Sequence, residues 1–258
     1  MFDSDQIMLK GKKALVIGIA NENSIAYGCA KAFKFRGAAI AVTYLNEKAK
    51  SYVEPLAKEV EAKIFMPCDV SKEGELEAVF SEIKRTWGKL DIALHSIAFA
   101  PKKDLQGRLV DSSREGFLLA MDVSCHSFIR MARLAEPLMK NGGTLFTMSY
   151  YGSQKVVQHY NLMGPIKAAL EATVRYIAAE LGPKIRVHAI SPGPVKTRAA
   201  SGLENFDDLL NVAAAKAPAK RLVTIDDVGA ATAGLATDAA KLITGETIYI
   251  DGGYHIID

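Results

Sequence analysis

The sequence has 258 residues, of which 49% are hydrophobic, and its formal net charge is +3 at neutral pH. A chain of this length and apolar content can bury a sizeable core, as one large α/β domain or as two small domains. Acidic and basic residues are interspersed, without a basic run or stripe, which argues against a nucleic-acid-binding or membrane-surface protein. No window of about 18 consecutive apolar residues predicts a membrane span, and no secretion signal is recognised, so we expect a cytoplasmic protein.

Short apolar runs alternate with longer segments of helical periodicity. The predicted strands are residues 13–20, 39–45, 62–70, 90–98, 143–150, 185–193 and 246–253. The predicted helices are residues 25–36, 47–60, 72–86, 115–140, 160–181 and 225–237. The strand runs are continuously apolar, which is typical of strands covered on both faces. The sequence therefore predicts a single-domain, Rossmann-like α/β fold, with a doubly wound sheet of about seven parallel strands and helices on both faces.

Polar residues mark several ends of the predicted helices. Ser24 is a candidate cap for the first helix and Gly37 a candidate terminator, while Thr224 and Asp227 have the spacing of a capping box. The three cysteines are Cys29, Cys68 and Cys125. Their odd number and wide spacing fit a reducing compartment and predict neither a disulfide framework nor a metal site. We expect them to be small, buried, apolar side chains.

The loop after the first strand is a candidate cofactor site. Gly18 allows a sharp turn, and the helix that begins near Ser24 directs free N–H groups to the carboxyl edge of the sheet. Such a helix end favours a pyrophosphate through hydrogen bonds and through its dipole. The G-x-G-x-x-G spacing is absent, since the next glycine is Gly28. On this motif alone, a purely structural turn is a more common outcome than a ligand site.

The ends of the next two strands leave the choice of cofactor open. A Rossmann NAD site commonly has an acid after the second strand, where this chain has Leu45. Lys48 could meet the 2′-phosphate of NADPH, although a lone lysine there is more often a solvated residue. After the third strand, Asp69 could accept a hydrogen bond from an adenine amine beside the Val70 backbone, or could simply form the turn.

The fourth strand ends in the sequence HSIAFAP, residues 95–101. The small side chain of Ala98 would allow the backbone to approach a ribose and nicotinamide. His95 is more readily interpreted as a hydrogen-bonded core histidine than as a catalyst, because no carboxylate or thiol partner is visible near it in the sequence.

Two tyrosine–lysine pairs compete for a catalytic role in the segment SYYGSQKVVQHYNLMGPIKAALEA, residues 149–172. Tyr151 precedes Lys155 by four residues, and Tyr160 precedes Lys167 by seven. Seven residues span two helical turns, so Tyr160 and Lys167 could lie on one helix and face a cofactor together.

A family resemblance favours the second pair. The segment AALEATVRYIAAELG after Lys167 and the PG turn near residue 192 resemble the short-chain dehydrogenase/reductase family. Ordinary members place the active tyrosine four residues before this lysine, where this chain has Met163. The divergent branch places it seven before, which fits Tyr160, and a second tyrosine ten residues earlier, which fits Tyr150.

The motifs SIAYG, HSIAFAP, NLMG and AASG extend this resemblance over essentially the whole chain. The chain resembles the NADH-dependent enoyl-acyl-carrier-protein reductases of bacterial type II fatty-acid synthesis. That resemblance implies reduction of the C2–C3 double bond of a trans-2-enoyl thioester carried on acyl-carrier protein, with NADH as cofactor and NADPH not excluded. It also implies a homotetramer and a helical lid around residues 196–217, while Leu45 departs from the glutamine common in the family.

The resemblance also implies the site residues. The expected catalytic residues are Tyr160, Lys167 and Tyr150, and the expected substrate-binding residues are Ala100, Tyr150 and Tyr160. The expected cofactor-binding residues are Gly18, Ser24, Ile25, Leu45, Asp69, Val70, Ile97, Lys167, Val195 and Thr197. No metal is expected. Two other functions remain open from the sequence: a reductase of 3-oxoacyl thioesters or other ketones, and a non-catalytic nucleotide sensor.

Overall fold

The structure, a computed structural model, describes residues 8–197 and 206–257. Its centre is one sheet of seven parallel strands in the order β3-β2-β1-β4-β5-β6-β7. The strands are β1 Lys13–Ile17, β2 Ala39–Tyr44, β3 Ile64–Pro67, β4 Ile92–His95, β5 Gly143–Met148, β6 Ile185–Pro192 and β7 Thr247–Ile250. The predicted doubly wound α/β fold is confirmed. The strand order reverses between β1 and β4, and ligands of such sheets bind beyond the carboxyl ends of the strands at that point.

Helices connect the strands. The α-helices are α1 Ile25–Phe35, α2 Glu47–Glu59, α3 Glu75–Trp87, α4 Lys102–Gln106, α5 Arg114–Met121, α6 Ser127–Ala135, α7 Met163–Leu181, α8 Phe206–Lys216 and α9 Ile225–Leu235. The helix predicted over 115–140 is in fact interrupted, because a π-helical segment, Asp122–His126, lies between α5 and α6. The helix predicted over 160–181 begins only at Met163, which changes the geometry expected for Tyr160.

Each face of the sheet has its own apolar core. On one face, α1, α2 and α9 pack on the strands and bury residues such as Phe33 and Val228. On the other face, α3, α6 and α7 bury Phe80, Phe128 and Leu170. The strands are therefore covered on both sides, as their continuous apolar sequences indicate.

Glycines allow α1 and α9 to touch through their backbones. A Cβ added at Gly28 would lie 2.1 Å from the Ile225 carbonyl oxygen, and one added at Gly229 would lie 2.3 Å from the Gly28 carbonyl oxygen. Since backbone atoms cannot swing aside as a flexible side chain can, only glycine fits at either position. This contact fixes α1, whose N-terminus borders the edge of the sheet where a ligand would bind.

We expect Gly28→Ala to lower the free energy of unfolding by about 2–3 kcal/mol, because the two helices must separate to admit the methyl group. Urea denaturation measures this change. Gly234→Ala on α9 is the matched control, since a Cβ there meets nothing within 4 Å. Alanine at this control site should be neutral or slightly stabilising. Equal losses in both variants would contradict the packing argument.

The predicted helix ends and cysteines are confirmed with one exception. Gly37 follows the last turn of α1 with φ +92°, and Thr224 and Asp227 form a capping box on α9. All three cysteines are free and buried. Ser24 occupies the N-cap position of α1, but its side chain makes no capping hydrogen bond to the helix.

Candidate active site

A crevice of about 450 Å³ opens at the carboxyl ends of β1 to β4. Five of the predicted cofactor-binding residues line it: Gly18, Leu45, Asp69, Val70 and Ile97. The sequence interpretation missed several other lining residues, among them Ala20, Ser71, Ser96, Phe99, Leu119 and Val123. Those that follow strand ends could have been found from the carboxyl-edge rule. Leu119 and Val123 come from α5 and the π-helical segment, and no sequence signal marks them.

The β1–α1 loop is held against the end of β4. Gly18 has φ +110°, and an added Cβ would lie 2.0 Å from the Ser96 carbonyl oxygen, so the loop requires glycine there. The Ser24 hydroxyl accepts hydrogen bonds from the backbone N–H groups of Ala20 (3.0 Å) and Asn21 (3.1 Å). Ser24 therefore shapes the loop above the N-terminus of α1, instead of capping the helix with its side chain as expected. Ile25 is the first residue of α1 and is half-buried.

The turn after β3 is built by local hydrogen bonds. The Asp69 Oδ1 atom accepts from the Ser71 backbone N–H (3.0 Å) and from the Ser71 hydroxyl (2.6 Å). The Asp69 backbone N–H donates to Glu75 Oε2 at 2.7 Å. The interpretation of Asp69 as a turn-forming residue is thus confirmed. Because Asp69 also lines the crevice, a contact with adenine stays a prediction. Leu45, at the end of β2, is 51% exposed.

His95, the last residue of β4, belongs to the core. Its Nδ1 lies 3.1 Å from Thr147 Oγ1 and its Nε2 lies 2.7 Å from Ser127 Oγ. Burial, with a smaller contribution from the positive charge of Lys167, lowers the pKa of His95 to about 3. The imidazole is therefore neutral at physiological pH, and the predicted structural role of His95 is confirmed.

Two tyrosine rings converge after β5. Tyr150 and Tyr160 pack edge to face, with ring centroids 5.0 Å apart. A Cβ added at Gly152 would lie 2.6 Å from the Tyr160 ring and 3.3 Å from the Tyr150 ring, so Gly152 makes the room for this pair. The Tyr150 hydroxyl is buried without a hydrogen-bond partner among the residues that the structure describes. A polar group left in this state marks a place where a ligand atom could bind.

Tyr160 precedes α7 and is not on it. It lies in a turn between His159 (φ +63°) and Asn161 (φ +38°). Asn161 tolerates this conformation and anchors the turn, because its Nδ2 donates to the Leu105 carbonyl oxygen at 3.0 Å. The expectation that Tyr160 and Lys167 lie two turns apart on one helix is therefore wrong. Burial, and secondarily the negative charge of Glu171, raises the pKa of the Tyr160 phenol, so it keeps its proton at neutral pH.

Lys167 lies on the first turns of α7 and is 4% exposed. Its Nζ donates a hydrogen bond to the Met148 carbonyl oxygen at 2.6 Å, which directs the ammonium to the end of β5. Burial lowers the pKa of Lys167 to about 8, against smaller opposing contributions from Cys125 and Glu171. Met163, four residues earlier, is buried in an apolar cluster that also contains Ala100 and Leu162 and packs against Tyr160.

Glu171, one turn after Lys167, was missed by the sequence interpretation. Its Oε1 accepts from the hydroxyls of Ser149 (2.5 Å) and Ser153 (2.6 Å), on either side of Tyr150. A lone acid four residues after a lysine on an apolar helix is the signal that could have found it. Through these two hydrogen bonds the buried Glu171 carboxylate, 4% exposed, holds the turn that contains Tyr150.

The rejected pair consists of a packed tyrosine and an exposed lysine. The Tyr151 ring packs on both Tyr150 and Tyr254, with ring centroids 5.1 and 5.4 Å away, and Lys155 is exposed. Val195 and Thr197 follow β6 in a tight turn, in which the Thr197 N–H donates to the Val195 carbonyl at 2.7 Å. Within the predicted lid, residues 198–205 lie outside the described residues. Ala213 on helix α8 and Ala217, the residue after it, cluster with Tyr254.

Comparison with known proteins identifies the family. The family model described as enoyl-(acyl carrier protein) reductase matches residues 18–255. The chain belongs to this family. The match spans the crevice, both tyrosines and Lys167, and the resemblance predicted from the sequence is confirmed.

Individual members of the enoyl-(acyl carrier protein) reductase family are similar over nearly the whole chain. A Rhizobium meliloti protein named enoyl-[acyl-carrier-protein] reductase [NADH] 1 is 45% identical over 251 residues, 97% of this chain and 92% of the relative. The crystal structure of an Anaplasma phagocytophilum enoyl-(acyl-carrier-protein) reductase in complex with NAD is 47% identical, with a TM-score of 0.93, over 97% of this chain and 96% of that one. A Bacillus cereus reductase solved with NADP+ and an indole naphthyridinone is 42% identical, with a TM-score of 0.94, over 97% and 99%.

The crevice of this reductase family member fits a dinucleotide. Four strand ends and the glycine turn at Gly18 line it along one edge of the sheet. The crevice ends beside α5 and the residues that follow β4. Among the described residues, no group of three histidine, cysteine, aspartate or glutamate side chains could hold a metal ion, and no helix is long and apolar enough to span a membrane.

Proposed function

We propose that this protein reduces the C2–C3 double bond of trans-2-enoyl thioesters on acyl-carrier protein, with NADH as the reductant, in the last step of a fatty-acid elongation cycle. The observation that carries this proposal is the packing of Tyr160 against Tyr150 in a chain of the enoyl reductase family. One phenol is held protonated by burial, and the hydroxyl of the other is unpartnered among the described residues.

The cofactor would lie along the crevice. Gly18, Ser24 and Ile25 would hold the pyrophosphate at the N-terminus of α1, where N–H groups and the helix dipole favour anions. Asp69 and Val70 would border the adenine, and Ile97 the nicotinamide side. Val195 and Thr197 would contact the nicotinamide carboxamide and the pyrophosphate.

The side chain of Leu45 supports NADH over NADPH. It would border the adenosine ribose, and an apolar group offers no charge to a 2′-phosphate. Lys48, three residues after Leu45, is exposed, and it is the residue that the sequence offers for contact with the 2′-phosphate of NADPH.

The protein residues would stabilise charge on the substrate. When bound, NADH would supply a hydride to C3 of the enoyl thioester. Charge then develops on the thioester oxygen as an enolate, and the Tyr160 hydroxyl would donate a hydrogen bond to that oxygen. A preorganised donor that meets charge as it develops contributes about 3–4 kcal/mol to transition-state stabilisation. The enolate takes a proton at C2, relayed from solvent.

Lys167 and Tyr150 would support Tyr160. The Lys167 ammonium would bind the hydroxyls of the nicotinamide ribose, and its charge would lower the cost of phenolate character on Tyr160. Tyr150 would border the substrate carbonyl, where its buried hydroxyl gains a partner. Ala100, in the apolar cluster that packs against Tyr160, would border the acyl chain.

We also propose a substrate lid around residues 196–217, a homotetramer and a cytoplasmic location. Apolar residues on α8 would cover the acyl chain. Apolar side chains on α5, α6 and α7 are exposed, including Leu118 (49%), Ile129 (42%) and Tyr176 (74%), and pairing of subunits would bury them. Acyl-carrier protein is the expected partner because it carries the substrate.

The function is tested with two thioesters. Crotonyl thioester should support oxidation of NADH at a high initial rate, because its C2–C3 bond is the proposed acceptor. NADPH should support a lower rate, and acetoacetyl thioester none. Initial rates at 340 nm measure all three. Oxidation with acetoacetyl thioester alone would instead identify a ketone reductase, and cofactor binding without turnover on either thioester would identify a nucleotide sensor.

A further inference from the structure

Arg130 connects three elements beside the cofactor crevice. It extends from α6, where its Nη1 donates to the Val70 carbonyl oxygen at 2.8 Å. Its Nη2 contacts both carboxylate oxygens of Glu77 on α3, at 3.1 and 3.2 Å. The side chain of Arg130 is only 18% exposed. One guanidinium thus ties α6 to α3 and to the turn between β3 and α3.

That turn would hold the adenine. Val70 is 4% exposed and lines the crevice together with Asp69. The hydrogen bonds of Asp69 with Ser71 and Glu75 span at most six residues, so they shape the turn itself. The bond from Arg130 spans 60 residues. It therefore fixes where the turn lies relative to the rest of the crevice.

We propose that Arg130 is a positioning residue for the adenine end of the cofactor site, acting through the Val70 carbonyl. This inference rests on the proposed function, since it takes the crevice to be the cofactor site. The planar guanidinium presents several N–H donors in a fixed geometry, so it can hold the carbonyl and a carboxylate together, which a lysine ammonium cannot do as well.

Glu77 strengthens the contact from the other side. A backbone hydrogen bond and the bond from Arg130 lower the pKa of Glu77, which keeps its carboxylate ionised at neutral pH. Arg130 in turn stays oriented, because the ion pair is partly shielded from water. Loss of Arg130 leaves the Val70 carbonyl without this donor and frees the turn to move away from the adenine.

The test separates the two halves of the cofactor. Arg130→Met keeps the length of the side chain and removes the donors. It should raise the Kd for adenosine diphosphoribose, measured by calorimetry, by about tenfold, the value of one charged hydrogen bond. The Kd for NADH should rise by the same factor. The kcat/KM with reduced nicotinamide mononucleotide, which lacks adenosine, should stay at the wild-type value.

Two further variants keep the test decisive. Arg133→Met removes an exposed arginine one turn along the same helix and should leave every constant unchanged. Glu77→Gln removes the ion pair but retains the hydrogen bond from Arg130 to the Val70 carbonyl, so it should raise the Kd for adenosine diphosphoribose by a smaller factor. If Arg130→Met does not fold, Glu77→Gln is the test variant in its place.

Three outcomes would overturn the inference. The first is an unchanged Kd for adenosine diphosphoribose in Arg130→Met, or in Glu77→Gln if Arg130→Met does not fold. The second is a fall in kcat/KM with reduced nicotinamide mononucleotide that equals the loss of affinity for adenosine diphosphoribose. The third is a wild-type protein that does not bind adenosine diphosphoribose. Wild-type binding without reduction of crotonyl thioester would instead refute the proposed function and leave the role of Arg130 standing.

Discussion

Tyr160→Phe is expected to lower kcat/KM for crotonyl thioester by about 10²–10³-fold, because a single donor to a developing oxyanion contributes roughly 3–4 kcal/mol. The Kd for NADH should stay within a factor of two or so, since Tyr160 would touch substrate and not cofactor. Phenylalanine retains the ring that packs on Tyr150 and over Gly152. Steady-state kinetics and fluorescence titration with NADH measure the two quantities.

Tyr151→Phe is the matched control. Tyr151 has the Y-x-x-x-K spacing with Lys155, yet its ring packs toward Tyr254 and Lys155 is exposed. Removal of its hydroxyl should leave kcat/KM nearly unchanged. If the two variants lost the same activity, the phenol of Tyr160 would have no special role, and if only Tyr151→Phe lost activity, the choice between the pairs would be reversed.

The sheet was predictable because burial on both faces imposes a visible pattern. Runs such as residues 13–20 and 185–193 are continuously apolar, and helical segments between them leave few alternatives to a parallel doubly wound sheet. The prediction overextended the strands at their ends: the first was expected to residue 20 but stops at Ile17, where the chain turns through Gly18 into the crevice. The apolar residues that follow the strand, Ile19 and Ala20, line the crevice instead.

The geometry of the site was less predictable, because it depends on contacts between distant residues. The spacing of Tyr160 and Lys167 suggested one helix, but the turn at Asn161 is held by the Leu105 carbonyl, 56 residues away. The π-helical segment between α5 and α6 likewise has no clear periodicity signal, although Ser124 within it accepts a hydrogen bond from the Phe99 N–H at 2.9 Å. The hydrogen bond from Arg130 to the Val70 carbonyl, across 60 residues of sequence, could not be predicted for the same reason.

Lys167→Met is expected to raise the Kd for NADH by about 10²-fold, as the loss of hydrogen bonds from an ammonium to the ribose hydroxyls costs roughly 2–3 kcal/mol. The substitution also leaves the buried Met148 carbonyl oxygen without its donor, so some loss of stability is expected as well. Urea denaturation of the variant separates that loss from the loss of NADH affinity. Lys155→Met, which removes the exposed lysine of the rejected pair, should bind NADH as the wild type does.

The pH dependence of binding identifies Lys167 independently of activity. Burial lowers the pKa of Lys167 to about 8, while Cys125 and Glu171 oppose this shift. The positive charge of Lys167 in turn contributes to the lowered pKa of His95, which stays neutral over this pH range. The ribose hydroxyls favour the charged donor, so the cofactor binds the cationic form. The wild-type Kd for NADH should therefore be flat below pH 8 and rise above it, by up to about tenfold per pH unit, until the higher pKa of the bound state is reached. In Lys167→Met the curve should be flat across this range, and a rise that persisted there would assign the titration to another group and remove Lys167 from the cofactor site.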